Sequence, residues 1–168
     1  GVRVGGDFLK PGFTHNRKTK YSFSYDVAAL MKTSKGAKNV FAAEVSAGWW
    51  RDKICTPSNE DGGFVGRKSA FRGLLEVMFA DGTTRSYGTN TRTWKAGTAG
   101  PVTHAAIFDG EEYDARIRPA YERPESLGRS EENREFAGEL LPTRGAEVCL
   151  RRDLTMQPVA AYVWRGVT

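Results

Sequence analysis

"SAFRGLLEVMFADGTTRSYG", residues 69–88, is the stretch that best predicts the fold. Its first half alternates apolar and polar residues. One face carries Phe71, Gly73, Leu75, Val77 and Phe79. Arg72 and Glu76 fall on the opposite face, as expected for a half-buried strand. Asp81-Gly82 is a favoured two-residue turn for right-twisted strands. The stretch therefore predicts an antiparallel β-hairpin.

Short segments of the same kind follow one another along the chain, separated by turn residues. Further strands are predicted at 20–26, 39–47, 102–108, 111–118, 145–152 and 157–164. Between them we expect a helical turn capped by Asp26, a glycine-rich loop at 48–66, and a long loop excursion at 119–143 with one helical turn near 130–136. Many short strands with little helix predict an all-β fold, an antiparallel β-sandwich of jelly-roll or galactose-binding-like type. Residues 1–168 are expected to form one such domain.

The charge of the chain is uneven. The net charge is +5, and residues 1–56 hold ten Lys and Arg against four Asp and Glu. Basic residues and aromatics interleave in "NRKTKYSFSYD", which is compatible with nucleic-acid binding. However, Tyr21, Phe23 and Tyr25 alternate with period two, which favours the buried face of a strand with lysines at its solvated edge. We therefore expect no nucleic-acid partner.

The cysteines and histidines of the chain do not form a recognisable metal-binding pattern. Cys55 and Cys149 form no metal motif, and we expect two free thiols. His15 and His104 lack a second ligand at helical spacing, which argues against zinc. No apolar run has membrane length. The chain begins at Gly1 within a hairpin-like segment, so we interpret it as a piece of a longer multidomain enzyme; signals that determine localisation would lie outside it.

Carboxylates are concentrated in "FDGEEYDARI", residues 108–117. On a strand, residues two apart share a face and lie about 6.6 Å apart, so Asp109 and Glu111 fit the carboxyl separation of an inverting glycosidase on distance alone. An acid and a base must flank a substrate in a pocket, and neighbours on one strand rarely do. Carboxylates beside Arg116 more often form a structural belt of ion pairs and hydrogen bonds. We expect no catalytic residue here.

The four tryptophans are the other candidates for a site. Trp49 and Trp50 are adjacent, so on an extended chain their rings point to opposite faces. Trp94 lies in "NTRTWKAG", a turn-like segment where a ring can stay exposed and bind the apolar face of a sugar. The alternative for each ring is that it closes one end of the sandwich; we favour that for Trp49 and leave both open for Trp94.

Five segments in order resemble the N-terminal β-sandwich domain of bacterial α-L-rhamnosidases of glycoside hydrolase family 78. The segments are "FLKPGFT", "YSFSYDVAALM", "GAKNVFAAEVSAGWWRD", "LLEVMFADGTTRSYGTNTRTWKAG" and "FDGEEYDARI". The resemblance covers roughly residues 7–118. It implies a non-catalytic scaffold domain, because in that family the catalytic carboxylates lie in a separate helical barrel of the same chain. The parent enzyme would hydrolyse terminal α-L-rhamnosyl linkages.

The domain is also similar to family 67 carbohydrate-binding modules, which implies a rhamnose-containing glycan as partner. The resemblance implies that Trp94 lies in the sugar-binding region with Asp109 nearby, and Trp50 and Glu111 are further candidates. Glu111, Asp114 and Arg116 match the family motif Gly-Glu then Asp-Ala-Arg, and we interpret them as a structural polar belt. Asp109, Glu111 and Asp114 carry oxygen ligands that calcium accepts, but Gly66-Arg67-Lys68 stands where the calcium-dependent pattern has an Asp/Asn pair. We therefore expect no cofactor and no metal site. The alternatives are a purely structural interdomain module, a self-contained enzyme or a nucleic-acid binder.

Overall fold

A computed structural model describes residues 1–53, 65–136 and 138–160. Within these residues, two-stranded sheets are formed by eight short strands: β1 (Thr19–Ser22), β2 (Leu74–Met78), β3 (Thr84–Gly88), β4 (Lys95–Ala96), β5 (Val102–Ala106), β6 (Gly110–Tyr113), β7 (Gly128–Arg129) and β8 (Glu139–Pro142). The pairs β2–β3, β4–β7 and β5–β6 are antiparallel, and β1–β8 is parallel. The predicted all-β class is confirmed. The jelly-roll arrangement of these strands stays a prediction.

Helical structure in the described residues is limited to single turns. The α-helical turn is α1 (Gly48–Arg51), and 3-10 turns occur at Ala28–Leu30, Ala120–Glu122, Pro124–Ser126 and Arg152–Leu154. The Asp26 carboxylate accepts the Ala28 N–H at 2.9 Å, so the predicted turn after Asp26 is confirmed. No helix in this part of the chain is long and apolar enough to cross a membrane.

The β2–β3 hairpin is confirmed, with a different turn. Leu75 and Val77 are half-buried, whereas Leu74 and Met78 on the other face are exposed, so the predicted period of two holds. The Phe79 N–H donates to the Thr83 carbonyl at 2.8 Å, which leaves three residues in the loop instead of two. Gly82 takes a φ of +82° there, which suits glycine best. The Asp81 carboxylate accepts the Thr83 hydroxyl at 2.7 Å and its N–H at 2.9 Å, and these bonds lower the pKa of Asp81.

A second hairpin, β5–β6, contains the start of the carboxylate-rich stretch. Its register pairs Val102 with Tyr113 and Ala106 with Gly110, with an irregularity near the first pair. The strand predicted at 111–118 ends at Tyr113, because Asp114 begins a turn in which the Ile117 N–H donates to its carbonyl. Gly110 has a φ of +84° at the end of the hairpin turn.

The segment 119–143 differs from the predicted loop excursion. It supplies β7, which pairs with β4, and β8, which pairs with β1. Its helical turns lie at 120–126 and not near 130–136. The β1–β8 pairing joins residues about 120 positions apart in sequence, so it could not be predicted from local periodicity. Whether residues 1–168 form one domain stays a prediction.

Strands predicted at 39–47 and 145–152 were wrong. The first segment is irregular, and its Asn39 side chain bonds the backbone of Lys32 in both directions, at 2.8 and 2.9 Å. The second makes only an isolated bridge between Asp7 and Cys149. An extended segment becomes a strand only when a neighbour offers backbone partners in register. Residues 157–160 are also irregular, and the rest of the strand predicted at 157–164 lies outside the described residues.

Polar and not apolar residues are the most buried side chains. In the described residues no large hydrophobic side chain is buried, whereas Asp7, Asn16 and Asp52 are only 7–8% exposed. Tyr21 and Phe23 are half-buried, as expected for one face of a strand, but Tyr25 is exposed. Cys149 is exposed and free, and Cys55 lies outside the described residues. Packing in this part of the chain therefore rests on half-buried aromatic contacts and on hydrogen bonds to buried polar groups.

Candidate functional site

The turn that carries Trp94 is organised by Asn90. The Asn90 side-chain oxygen accepts the N–H groups of Arg92 and Thr93 at 3.0 and 2.9 Å, and its own NH₂ donates to Gly88 at 3.1 Å. The Trp94 N–H then donates to the Asn90 carbonyl at 3.3 Å. Asparagine is suited to such turns because its short amide bonds the backbone two or three residues ahead. The turn thus places Trp94 directly before β4.

Trp94 is partly buried, and its ring contacts another aromatic ring. Its centroid lies 5.8 Å from that of Phe71, with the ring planes inclined by 36°. The Ser130 hydroxyl donates to the Trp94 carbonyl at 3.0 Å, which connects this turn to the segment after β7. One side of the indole is thus supported by Phe71, while Trp94 as a whole keeps solvent access. Sugar binding at Trp94 stays a prediction.

Trp50 has a different environment. Its indole N–H donates to the Lys68 carbonyl at 2.9 Å, and its ring meets Phe136 edge-on at 6.4 Å between centroids. The Lys20 ammonium lies 3.9 Å from the ring centroid, and burial lowers the pKa of this lysine. Gly66 packs directly against the ring. These groups pack around Trp50, and sugar binding at its ring stays a prediction.

The sequence analysis treated Trp49 and Trp50 as neighbours on an extended chain, but they do not lie on one. Both belong to α1, where successive side chains are about 100° apart. Trp49 meets Phe13 edge-on at 5.5 Å, and its carbonyl accepts the buried Asn16 amide at 3.3 Å. The helical turn therefore directs the two rings to separate clusters.

The residues after α1 contact the turn of the β5–β6 hairpin. The buried Asp52 carboxylate accepts the Ile107 N–H at 2.9 Å, and its other oxygen accepts the Lys53 N–H at 2.8 Å. The Lys53 ammonium pairs with Asp109 at 3.0 Å. Two motifs that are 55 residues apart in sequence are thus joined, and Asp109 is engaged by a cation in a hairpin turn.

Glu111 and Asp109 do not form a matched pair on one strand. Asp109 lies in the turn before β6, and Gly110 between them has a left-handed backbone, so the spacing expected for a regular strand does not apply. Glu111 is exposed and faces Ala105 across the hairpin. Among the described residues it has no ion-pair partner.

Asp114 and Arg116 form a local pair without Glu111. Arg116 donates through Nε and Nη2 to the two Asp114 oxygens at 2.8 and 2.6 Å, and its backbone N–H adds a third bond at 3.0 Å. The Arg116 side chain is 89% exposed. These hydrogen bonds lower the pKa of Asp114 and raise that of Arg116. The polar belt is thus an exposed two-residue clasp over a turn.

Replacing Arg116 with alanine is expected to leave the urea midpoint close to that of the wild type, because exposed ion pairs contribute little. The pKa of Asp114 should rise towards its ordinary value. Because the folded-state pKa is lowered, the contribution of the pair is present above the ordinary carboxyl pKa and is lost as the pH falls through the folded value. Urea melts at neutral and acidic pH, with an NMR titration of Asp114, check this. A large loss of stability at neutral pH would contradict it.

Glu135 makes a long-range contact that the sequence analysis missed. Its carboxylate accepts the backbone N–H groups of Arg67 and Lys68 at 2.8 and 3.1 Å, and these bonds, the one from Lys68 first, lower the pKa of Glu135. Asn133 donates to the Lys68 carbonyl at 2.8 Å. The segment 66–68, where calcium ligands were considered, thus presents N–H donors to a carboxylate. No sequence signal marks Glu135, because its partners are backbone groups.

Asp7 and Asp52 were also missed. The Asp7 carboxylate pairs with Lys10 and accepts the Tyr25 hydroxyl at 3.1 Å. Both residues are buried, but the hydrophobicity pattern of the sequence does not distinguish them from surface acidic residues. For Asp52, the position directly after Trp-Trp-Arg is the one sequence signal. In the described residues no group of three or more His, Cys, Asp and Glu side chains is arranged to hold a metal ion.

Comparison with known proteins gives the family. The model of the α-L-rhamnosidase N-terminal domain matches residues 1–139. An α-L-rhamnosidase of Streptomyces avermitilis is 37% identical over 120 residues, 71% of this chain and 11% of that protein. One of Alteromonas sp. is 33% identical over 111 residues, 66% of this chain and 11% of its own length. One of Formosa agariphila is 32% identical over 117 residues, 70% of this chain and 12% of its own length.

The chain therefore spans about an eighth or less of the length of these curated relatives. No solved structure matches it significantly. The resemblance inferred from five short segments agrees with the matched region, which includes Trp94, the β2–β3 hairpin and the Asp114–Arg116 clasp. The chain belongs to the family of α-L-rhamnosidase N-terminal domains.

Proposed function

We propose that this domain is a non-catalytic accessory module of an α-L-rhamnosidase, and that it binds a rhamnose-containing glycan at Trp94. The observation that carries the proposal is the position of Trp94, which is only partly buried and whose ring centroid lies 5.8 Å from that of Phe71. L-Rhamnose has an apolar face and a methyl group, which suit stacking on an indole. Asn90 holds the turn in place before any ligand arrives, which lowers the entropic cost of binding.

The absence of a catalytic role is supported by the carboxylates of residues 108–117. Asp109 is engaged by Lys53, and Asp114 by Arg116. A general acid needs a pKa raised towards neutrality, whereas the pKa of Asp114 is lowered. A purely structural interdomain module is the second candidate, and it is favoured by the same engagement of Asp109 and Asp114 in contacts within the domain.

Trp94→Ala is expected to weaken binding of L-rhamnose at least about tenfold, the loss that about 1.4 kcal/mol of stacking and burial produces. Calorimetric titration of wild type and variant measures it, with Tyr113→Ala as the control, since Tyr113 is an exposed aromatic on β6 away from the Trp94 turn. Affinity that survives Trp94→Ala contradicts the platform. Undetectable binding by wild type would favour the structural module.

Calcium is expected to be unnecessary for that binding. Backbone N–H groups and two cations occupy the segment 66–68, whereas a calcium site needs oxygen ligands. The wild-type titration is repeated with calcium and with a chelator, and both affinities should agree. An affinity that disappears with the chelator would contradict metal-free stacking and would direct attention to Asp109 and Glu111 as ligands.

The isolated chain is expected to release no p-nitrophenol from p-nitrophenyl α-L-rhamnoside. The reason is that Asp109 and Asp114, the carboxylates next to Glu111 and Glu112, are engaged by Lys53 and Arg116, whereas an acid and a base must both face a substrate. Wild type and Glu111→Gln should both match the buffer blank. Turnover by wild type that is lost in Glu111→Gln would show that this domain is itself catalytic.

A further inference from the structure

An apolar groove lies on the side of the molecule that contains the N-terminus. It has a volume of about 140 Å³ and is lined, among others, by Val2, Val4, Leu30, Met31, Val40 and Phe41. Val40 is 81% exposed and Val2 73% exposed, although both are β-branched hydrophobic residues. Contiguous apolar residues on a surface indicate a contact with another macromolecule. We call this feature the Val40 groove.

A lysine loop borders the Val40 groove. Residues 32–38, "KTSKGAK", carry three lysines and no acidic residue, and all three lysines are exposed. The loop is closed at its base by the Asn39 side chain, which bonds Lys32 N–H at 2.8 Å and its carbonyl at 2.9 Å. Gly36, with a φ of +80°, and a Ser34–Ala37 hydrogen bond shape its tip. The positive charge is therefore held beside the apolar residues in a defined loop.

We propose that the Val40 groove and the lysine loop 32–38 together bind another domain of the same polypeptide, through an apolar patch on that domain with carboxylates at its edge. This rests on the proposed function, in which the chain is one module of a longer enzyme. The curated relatives have about nine-tenths of their length outside the matched region, so a partner surface is available in cis. Acidic residues on that surface would complement the three lysines and fix the orientation of the domains.

Other occupants fit less well. A second copy would present another groove and lysine loop with no acidic residue in either, so it offers no carboxylate from these features to complement the lysines. A free sugar needs several hydrogen-bonding side chains, whereas those lining the groove are apolar except for Asn39, which is already engaged with Lys32. A groove with apolar walls and a cationic edge is complementary to an apolar protein surface that carries a few carboxylates.

Hydrogen–deuterium exchange tests the proposal on the full-length polypeptide and on the 168-residue chain. In the full-length protein, amides of 27–42 should exchange at least tenfold more slowly than in the 168-residue chain. Val40→Asp in the full-length protein should remove this protection, and Val159→Asp, at another exposed apolar position, should not. Because Val40 is exposed in the domain, the substitution is not expected to unfold it.

A charge reversal gives a second test that does not touch the groove. Lys35→Glu combined with Lys38→Glu should reduce the protection of 27–42, and adding salt should reduce it in wild type.

Rhamnose titration of Val40→Asp separates the two proposals, because sugar affinity should be unchanged while docking is lost. Equal exchange in both lengths of wild type overturns the docking surface. So does dimerisation of the 168-residue chain, or its binding to anionic phospholipid vesicles, if Val40→Asp abolishes either one.

Discussion

Gly66→Ala is expected to lower the free energy of unfolding by about 1–3 kcal/mol or more, the cost of inserting a methyl group into a filled space. A Cβ at this position would lie 2.2 Å from two carbons of the Trp50 ring. The ring has little freedom to move, because its N–H donates to Lys68 and Lys20 lies 3.9 Å from its centroid. Urea denaturation of the purified chain measures the effect.

Two further variants show whether the clash with Trp50 is the cause. Gly12→Ala should change stability by less than about 0.5 kcal/mol, because a Cβ there meets nothing within 4 Å. In the background Trp50→Phe, which has a smaller ring, Gly66→Ala should cost clearly less than in wild type. An equal cost in both backgrounds would show that Trp50 is not the neighbour that matters.

Asp52→Ala is expected to cost about 1–3 kcal/mol, since it removes the buried carboxylate that accepts the Ile107 N–H, and hydrogen bonds to charged groups are the stronger ones. Asp52→Asn should cost less, because an amide oxygen can still accept that bond. Both values come from urea melts. Loss of Asp52 should also loosen the β5–β6 turn, which hydrogen exchange of the Ile107 amide would report.

The matched control for Asp52 is Asp109→Asn, two residues after Ile107. Its ion pair with Lys53 is about half exposed and should contribute about 0–1 kcal/mol. If Asp52→Ala costs no more than Asp109→Asn, the buried hydrogen bond is not what connects α1 to the hairpin. The contrast thus tests burial against charge within one small region.

For the function of the domain, these contacts separate two regions. Trp50, Gly66 and Glu135 form a packing region around the segment 66–68, whereas Trp94 lies on a turn supported by Phe71 and Asn90. Gly66→Ala should therefore change stability while any affinity for rhamnose in the remaining folded protein is retained. Trp94→Ala should do the reverse.

Some of the site was predictable because its signals are local. The alternation of Leu75 and Val77 around Glu76 identified β2, and the Asp-Gly pair located the turn of that hairpin, although the loop has three residues. The turn around Trp94 follows from Thr, Asn and Gly residues near one another in sequence. Five ordered motifs also indicated the family that the comparisons found.

Local sequence signals were enough to predict the all-β class, the β2–β3 hairpin, the family and the turn that carries Trp94, because each signal is contained in short segments of neighbouring residues. The folded structure was needed to show that the Trp50 ring binds the Lys68 carbonyl and that Asp52 binds the turn at Ile107. It also decided that β1 pairs with β8 and that Glu135 binds the backbone at 67–68. These contacts join distant segments through backbone groups, and backbone N–H and C=O groups are the same in almost every residue, so the sequence carries no local mark of them.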